Sequence, residues 1–458
     1  MIVPGAARNP HEHKCARGQY RHQRFSARGR SSNGEVRDQA TYGACNVDYL
    51  LMTGTSSAEG AVSALLCRRP LEMAALPIPN SPAAQPGAPA EDSGQAMTVA
   101  VEATRLAREV RGIGRYVRAL LPRLVAQHAG LRLTLFVKNR REIETLVPVL
   151  FAMPALRARV EIRPIGHMRE SGADVYWYPW NVARRAPASG AVVVTMHDVV
   201  PVAHPDPRLR GLLKNRRWRR RYAETAERAT MIIADSAFTA SEIHRVLGVP
   251  HERIRTVLLA ADDFVVPPAG GDAAALTKLG VRNPFVLCVG AADRRKNLGL
   301  LTRAMPRVVG AHPGVTLALA GPRPMSKSLV PDEIWRRTLG FVTDEELAAL
   351  YRAAVVLVMP STYEGFGLPV LEAMRMGTPV ISTRASSLPE VAGGAAAYVD
   401  SSDDAALAEV INRVLSSEQL RATMRAASLA QSARFSWDET ARQTIAAFGE
   451  AKTLARSQ

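Results

Sequence analysis

From Met97 onward, short apolar runs alternate with longer stretches whose apolar residues recur every three or four positions. The short runs predict strands and the longer stretches predict amphipathic helices. Their regular succession is typical of a parallel sheet with crossover helices. The strands predicted in this first part are the TVAVEATRL run after Met97, LRLTLFVKN, Asp174–Tyr178, Ala191–His197 and Met231–Asp235. The helices predicted there end near His128, run from about Arg208 to Arg228, and run from the N-cap Ser236 to Gly248.

A second alternating series begins at Phe285. Its predicted strands are FVLCVG, VTLALAG, Leu339–Val342, Ala353–Met359, PVIST and AAYVD. Helices are predicted over 297–311 and from about 403, and two capping boxes are predicted at Thr343/Glu346 and Ser436/Glu439. The chain therefore reads as an α/β protein with two Rossmann-like halves, and such a fold binds ligands in the cleft at the carboxyl ends of its strands.

Four segments follow from this pattern. Residues 1–96 lack a sustained period and contain a Pro/Ala-rich run, so we expect a disordered extension that ends in a linker. Residues 97–267 form the first predicted domain, 268–435 the second, and 436–458 a final helix. Prolines and glycines near residue 267 mark the linker between the domains. We also hypothesise that Met97 is the native start, which peptides detected upstream of it by mass spectrometry would refute.

The formal net charge of +17 is concentrated in one part of the chain. Residues 97–267 hold 28 Lys and Arg against 16 Asp and Glu. Such an excess suits an acidic partner, either anionic lipid, a phosphorylated acceptor or nucleic acid. No zinc-finger spacing or RNA-binding aromatic motif is found, so no nucleic acid partner is expected.

The four cysteines indicate neither a disulfide framework nor a metal site, and we expect no bound metal. No apolar run reaches the length of about 18 residues that a membrane helix needs. The Arg-rich N-terminus lacks the apolar core of a secretory signal. We therefore expect a cytoplasmic protein.

The most informative stretch is PSTYEGFGLPVLEAM, residues 360–374. An apolar strand precedes it, Gly365 and Gly367 permit a tight turn, and Pro369 suits the first turn of a helix. A glycine turn at a helix N-terminus after a strand is a phosphate site. Because Glu364 and Glu372 would repel an anion, we expect them to bind hydroxyls, such as those of a sugar and a ribose.

This stretch resembles the signature of the family 4 retaining glycosyltransferases, which have the two-domain GT-B fold. The resemblance implies that the first domain is the acceptor side, that the second binds the nucleotide sugar, and that the helix at 436–458 packs back on the first domain. The resemblance implies that Glu364 contacts the donor sugar and that Glu372 binds the ribose. It also implies that the amides of Gly365, Phe366 and Gly367 contact the diphosphate. The alternative is a helix start with two solvated glutamates.

Two further motifs support the resemblance. The run GAADRRKNL, residues 290–298, resembles the family's Arg-Lys element, which implies that Arg295 and Lys296 neutralise the donor diphosphate without a metal. Some relatives carry another Arg where Ala291 stands. His197-Asp198 resembles a family pair in which the His approaches the donor sugar, and Glu364, His197 and Lys296 are the predicted catalytic residues. The structural alternatives are a solvated helix start and a satisfied core histidine.

The loop GIGRYV begins with Gly112 and Gly114, but Val117 stands where a dinucleotide fingerprint needs a third glycine or an alanine, which argues against a dehydrogenase. It resembles a family segment that lines the cleft near the donor phosphate, or it is a simple turn. Backbone at Phe341 and Val342 is expected to read the base.

A dense basic run suggests attachment to an anionic membrane surface or to a pyrophosphate-linked lipid acceptor. The alternative is a solvated helix face. The predicted patch consists of Arg216, Arg217, Trp218, Arg219, Arg220 and Arg221. Glu390 resembles a family position without an evident role.

We expect a retaining glycosyltransferase that moves a sugar from a nucleotide diphosphate donor to an acceptor hydroxyl of a glycan or lipid-linked glycan. No cofactor is expected beyond the donor. GDP-mannose is the first candidate, because the motifs resemble those of bacterial mannosyltransferases of surface polysaccharide synthesis, and UDP-sugars remain open. The alternatives are a GT-B sugar-nucleotide epimerase or phosphorylase, and a non-catalytic nucleotide-sugar-binding scaffold protein.

Overall fold

The computed structural model describes residues 96–109, 112–150, 154–184, 187, 189–205, 208, 211–261, 271–290, 293–321 and 333–457. The predicted extension before residue 96 and the predicted linker near residue 267 lie outside this described part of the chain.

The first half forms a parallel sheet of seven strands in the order β3-β2-β1-β4-β5-β6-β7. Its strands are β1 (Met97–Glu102), β2 (Leu131–Val137), β3 (Val160–Pro164), β4 (Val175–Tyr178), β5 (Ala191–Met196), β6 (Met231–Ala234) and β7 (Ile254–Thr256). Its helices are α1 (Ile113–Gln127), α2 (Arg140–Leu150), α3 (Pro154–Arg157), α4 (Val200–Ala203), α5 (Leu212–Arg228) and α6 (Ala237–Leu247). The central strands are buried on both faces, as helices on both sides of a parallel sheet require.

The second half forms a parallel sheet of six strands in the order β10-β9-β8-β11-β12-β13. Its strands are β8 (Phe285–Val289), β9 (Thr316–Ala320), β10 (Arg336–Gly340), β11 (Val356–Met359), β12 (Val380–Thr383) and β13 (Ala396–Val399). The helices of this part and the C-terminal region are α7 (Gly271–Leu279), α8 (Leu298–Ala311), α9 (Asp344–Ala353), α10 (Leu368–Arg375), α11 (Leu388–Ala392), α12 (Asp404–Ser416), α13 (Glu418–Ser432) and α14 (Trp437–Arg456). Two Rossmann-like sheets were predicted, and both are present.

Two predicted strands are displaced. The strand expected at Leu339–Val342 is β10, which begins three residues earlier and ends at Gly340. The apolar run from Ala353 was expected to form one strand, but it is divided between two elements. Ala353 ends helix α9, and strand β11 begins at Val356. Alanine has the highest helix propensity, so an apolar run that opens on two alanines can end a helix before it starts a strand.

Helix caps follow the sequence in two cases out of three. Ser236 accepts a hydrogen bond from the N–H of Thr239, and Gly248, in the left-handed conformation, caps the C-terminus of α6. The Thr343/Glu346 capping box is also present. The box predicted at Ser436 is wrong in detail, because Ser436 accepts from the N–H of Asp438 while Glu439 binds Arg442.

The last helix, α14, leaves the second half and packs against the first sheet. Trp437 and Phe448 are fully buried, and the ring of Phe448 lies 5.6 Å from that of Trp177 in β4. Lys452 forms an ion pair of 3.2 Å with Asp174, and Thr440 donates to the carbonyl of Leu258 at 2.7 Å. This helix therefore ties the C-terminal part of the chain to the first domain.

Within the described residues, no helix has both the length and the apolar character needed to cross a membrane.

Candidate active site

A cavity of about 440 Å³ lies between the two sheets. Residues that follow strands line it: His197 after β5, Asp235 after β6, Gly290 after β8 and Gly321 after β9. These are the carboxyl ends of parallel strands, where α/β folds bind ligands. The predicted site residues in its wall are Gly112, His197, Val342, Glu364, Gly365, Phe366, Gly367 and Glu372.

We call residues 360–367 the signature loop. Gly367 has a φ of 100° and forms the N-terminal cap of α10, a conformation that favours glycine. A Cβ on Gly365 would overlap the carbonyl oxygen of His197, so only glycine lets the two domains approach here. The Gly365 carbonyl accepts hydrogen bonds from the hydroxyls of Ser236, at 2.6 Å, and Thr239, at 2.9 Å. The loop therefore contacts the first domain directly.

Two serines that sequence reasoning passed over hold the signature loop from behind. The N–H of Glu364 donates to the hydroxyl of Ser386 at 2.8 Å. Ser387 lies within hydrogen-bonding distance of the carbonyls of Glu364 and Phe366, at 3.0 and 2.9 Å. The signal for them was the SSLPE run, in which polar residues stand just before a helix start.

Lys296 and Glu364 form an ion pair of 2.7 Å with side chains that are 14% and 11% exposed. The aliphatic part of Lys296 lies against Gly290, where a Cβ would come within 2.9 Å of it. Arg295 binds Asp293 at 3.1 Å, and its carbonyl accepts the N–H of Thr362 at 2.7 Å. The two predicted donor motifs are thus brought together, with a cation beside a carboxylate at the cavity.

Glu372 is also held on both oxygens. Tyr351 donates to one oxygen at 2.8 Å, and Arg115 of the first domain binds the other at 2.7 Å. Arg115 reaches Asp344 as well, at 2.9 Å. The sequence did not predict Arg115 or Tyr351 as site residues, although Arg115 belongs to the GIGRY loop.

Both ring nitrogens of His197 have hydrogen-bond partners. Its Nδ1 lies 2.5 Å from Asp235, and its Nε2 lies 2.9 Å from the carbonyl oxygen of Pro179. A carbonyl can only accept, so Nε2 carries a proton, and an ionised Asp235 requires a second proton on Nδ1. Burial by itself lowers the pKa of His197, but Asp235 and the Pro179 carbonyl outweigh burial and raise it. The raised pKa favours the imidazolium, and both ring nitrogens already have partners in this conformation.

Two aspartates flank this histidine. Asp235 is 2% exposed, and sequence reasoning missed it although it ends the buried strand pattern MIIAD. Burial raises the pKa of Asp198, and the guanidinium of Arg295 opposes that rise. Asp198 accepts the N–H of Val200 at 3.1 Å, a local turn contact.

Several predicted site residues lie outside the cavity wall, among them Arg295 and Lys296. Gly114 is not in the cavity wall; a Cβ there would overlap the Glu109 carbonyl, so its small size serves packing. Phe341 is 60% exposed outside the wall, while its neighbour Val342 is buried and lines it. The basic patch lies on α5, and none of its six residues lines the cavity.

Arg115 and His197 line the cavity beside the carboxylates of Glu364 and Glu372, and Lys296, outside the wall, pairs with Glu364. Such a set neutralises a diphosphate and holds sugar hydroxyls. Among the described residues, no group of three or more His, Cys, Asp or Glu is placed to hold a metal ion.

Sequence comparisons match both halves of the chain. The family described as Glycosyltransferase Family 4 matches residues 110–262, and Glycosyl transferases group 1 matches residues 283–417. An O-antigen chain mannosyltransferase B of Escherichia coli is 35% identical over 270 residues, which are 56% of this chain and 69% of that protein. The serotype-specific mannosyltransferase WbdA of Escherichia coli is 31% identical over 274 residues, and the match spans 33% of its length.

Solved structures share the fold. A sucrose-phosphate synthase from Thermosynechococcus elongatus has a TM-score of 0.57 at 22% identity, covering 77% of this chain and 98% of that one. Anabaena Alr3699/HepE, solved in complex with UDP and glucose, has a TM-score of 0.59 at 17% identity, covering 77% and 100%. The predicted GT-B architecture is confirmed.

Proposed function

This chain belongs to glycosyltransferase family 4, and from that premise we propose that it transfers mannose from GDP-mannose to a glycan or lipid-linked glycan in surface polysaccharide synthesis. The observation that carries the proposal is the 35% identity to an O-antigen chain mannosyltransferase over 69% of that protein. The second such relative, WbdA, is also named a mannosyltransferase. An epimerase, a phosphorylase and a scaffold protein are not favoured by these relatives.

The proposed donor lies across the cavity with its diphosphate at the signature loop. Lys296 and Arg295 neutralise the phosphates, together with the amides of Gly365, Phe366 and Gly367. The positive end of α10 adds to this attraction. Glu372 takes the ribose hydroxyls and Glu364 takes hydroxyls of the sugar, which replace their present partners Arg115 and Lys296. Gly112 leaves room near the phosphates, and the base lies near Val342.

The proposed reaction is a substitution on one face of the sugar. The bond from the anomeric carbon to the diphosphate oxygen breaks while a bond from that carbon to the acceptor oxygen forms on the same face. The acceptor proton passes to the leaving phosphate oxygen. Lys296 and the His197 imidazolium stabilise the charge that grows on the diphosphate. Because both ring nitrogens of His197 already have partners, this residue positions groups rather than accepting the proton.

A transfer assay tests this proposal. The full chain is incubated with GDP-mannose labelled in the sugar, with lipid-linked glycans as acceptors, and with UDP-glucose in a parallel reaction. We expect label in the glycan from GDP-mannose and an α linkage by NMR. The Glu364→Ala variant should lose about 100-fold or more in rate. The Glu409→Ala variant, changed at an exposed position in α12, is the control.

Two results would contradict the proposal. One is transfer from UDP-glucose alone. The other is conversion of GDP-mannose to another nucleotide sugar, or phosphate-dependent release of mannose phosphate, since these are the reactions of an epimerase and a phosphorylase.

We further propose that the protein works at the inner face of the cytoplasmic membrane and docks through α5. Leu212 and Leu213 are 57% and 83% exposed at the start of this helix. Exposed arginines follow them, and Arg221 lies over the ring of Trp218 at 5.3 Å. Exposed leucines beside arginines match the amphipathic surface that binds anionic lipid.

Sedimentation with vesicles tests the docking proposal. We expect the full chain to bind phosphatidylglycerol vesicles and not phosphatidylcholine vesicles. The Arg216→Glu/Arg217→Glu variant should bind at least about tenfold more weakly, because each basic residue near the surface contributes about 1 kcal/mol. Arg140→Glu changes a 91% exposed side chain of α2 and is the charge control. Equal loss in both variants would contradict docking through α5.

A further inference from the structure

Glu390 reaches from the second domain to a helix of the first. Its carboxylate accepts the N–H groups of Ala237, at 2.9 Å, and Phe238, at 3.4 Å. These residues form the first turn of α6, whose amides have no partner within the helix. A carboxylate at a helix N-terminus is also favoured by the helix dipole. Glu390 thus completes a cap that Ser236 only begins within its own domain.

The segment that carries Glu390 also holds the signature loop. Ser386 and Ser387, four and three residues earlier, bind the backbone of Glu364 and Phe366. On the other side, Ser236 and Thr239 at the start of α6 bind the Gly365 carbonyl. One short segment therefore contacts both the loop and the helix against which the loop docks.

We propose that Glu390 is a positioning residue for sugar transfer, which latches the two domains in the arrangement that places His197 against the signature loop. Glu390 does not line the cavity, so it acts through the domains and not on the donor. The proposal rests on the proposed function only in taking this cavity as the donor site.

The carboxylate suits this role. It is partly buried, and burial raises its pKa while the two amide hydrogen bonds hold the pKa down. A charged acceptor on two N–H groups forms stronger hydrogen bonds than a neutral one. A latch made of two such bonds can hold the closed arrangement and still open when a substrate must enter.

Amide hydrogen exchange on the full chain without nucleotide tests the latch. In the Glu390→Ala variant, we expect exchange at Ala237 and Phe238 to rise about tenfold or more, since their acceptor is gone. Exchange in the signature loop should rise with it. Gly365→Ala is the positive control, because its Cβ overlaps the His197 carbonyl and forces the domains apart. Glu409→Ala in α12 is the matched control without an effect.

Turnover of donor separates positioning from binding. We expect Glu390→Ala to reduce kcat about 100-fold while the Kd of GDP, held by residues of the second domain, changes less than about threefold. Glu390→Gln keeps one acceptor oxygen, so we expect its kcat to lie between those of the wild type and of Glu390→Ala.

Unchanged exchange at Ala237 and Phe238 would overturn the latch. The latch would also be overturned if Glu390→Ala raised amide exchange over the whole second sheet while Glu390→Gln gave no local rise. That pattern would mean that Glu390 only stabilises the fold. Absence of any GDP binding would refute the proposed donor site and leave the exchange result to decide the latch by itself.

Discussion

At the scale of single residues, the site depends on charges that are paired before any donor arrives. Glu364 pairs with Lys296, Glu372 with Arg115, and His197 with Asp235. Removing one partner of a buried pair leaves the other charge uncompensated, which costs about 3–5 kcal/mol. The pairs therefore hold the side chains in place. When the donor binds, its phosphates and hydroxyls must replace the present partners in these pairs.

The Asp235→Asn variant tests the imidazolium. Without the carboxylate, burial dominates, and the pKa of His197 should fall below its ordinary value. We expect the NMR titration of its Cε1–H signal to move to lower pH, while Glu409→Gln leaves it unchanged.

The same pair links stability to pH. Because the folded pKa of His197 is raised, the pair's stabilisation is complete below the unfolded value of about 6.5 and is lost as pH rises through the folded pKa. Urea denaturation should therefore show a wild-type advantage over Asp235→Asn that shrinks at high pH. An advantage independent of pH would contradict the assignment.

At the scale of elements, the motifs were predictable and their partners were not. The glycine turn, the Arg-Lys run and the His after β5 each follow a strand, so periodicity placed them at the carboxyl-terminal edges of the two sheets. Arg115, Tyr351 and Ser387 come from other elements, and only tertiary packing brings them to Glu364 and Glu372. A single sequence carries no signal for contacts between residues so far apart in the chain.

The last helix offers an element-scale test. Trp437 is 1% exposed at the start of α14, and its ring lies 6.2 Å from that of Tyr116 in α1. We expect Trp437→Ala to lower the free energy of unfolding by about 3–5 kcal/mol, the cost of removing a buried tryptophan. Leu454→Ala, at a 41% exposed position of the same helix, should change it by less than about 0.5 kcal/mol. Equal effects would show that α14 is not anchored through Trp437.

At the scale of the whole molecule, the alternation of strands and helices predicted two parallel sheets, and both are present. Strand edges shifted by a few residues at β10 and β11, and at β11 the apolar run ends helix α9 before the strand begins. The contact of Gly365 with His197 follows from neither sheet alone. It depends on how α14 and the Glu390 contact bring the domains together, which local patterns do not encode.

Equilibrium binding of GDP to the full chain, measured by calorimetry, tests the central claim that this cavity is the donor site of a glycosyltransferase. We predict that GDP binds, and that Lys296→Ala and Glu372→Ala each weaken it at least about tenfold, because they remove the diphosphate and ribose contacts. Lys278→Ala and Glu409→Ala, both at exposed positions, should bind as the wild type does. If neither GDP nor UDP binds, or if the two site variants bind as tightly as the wild type, the donor site lies elsewhere.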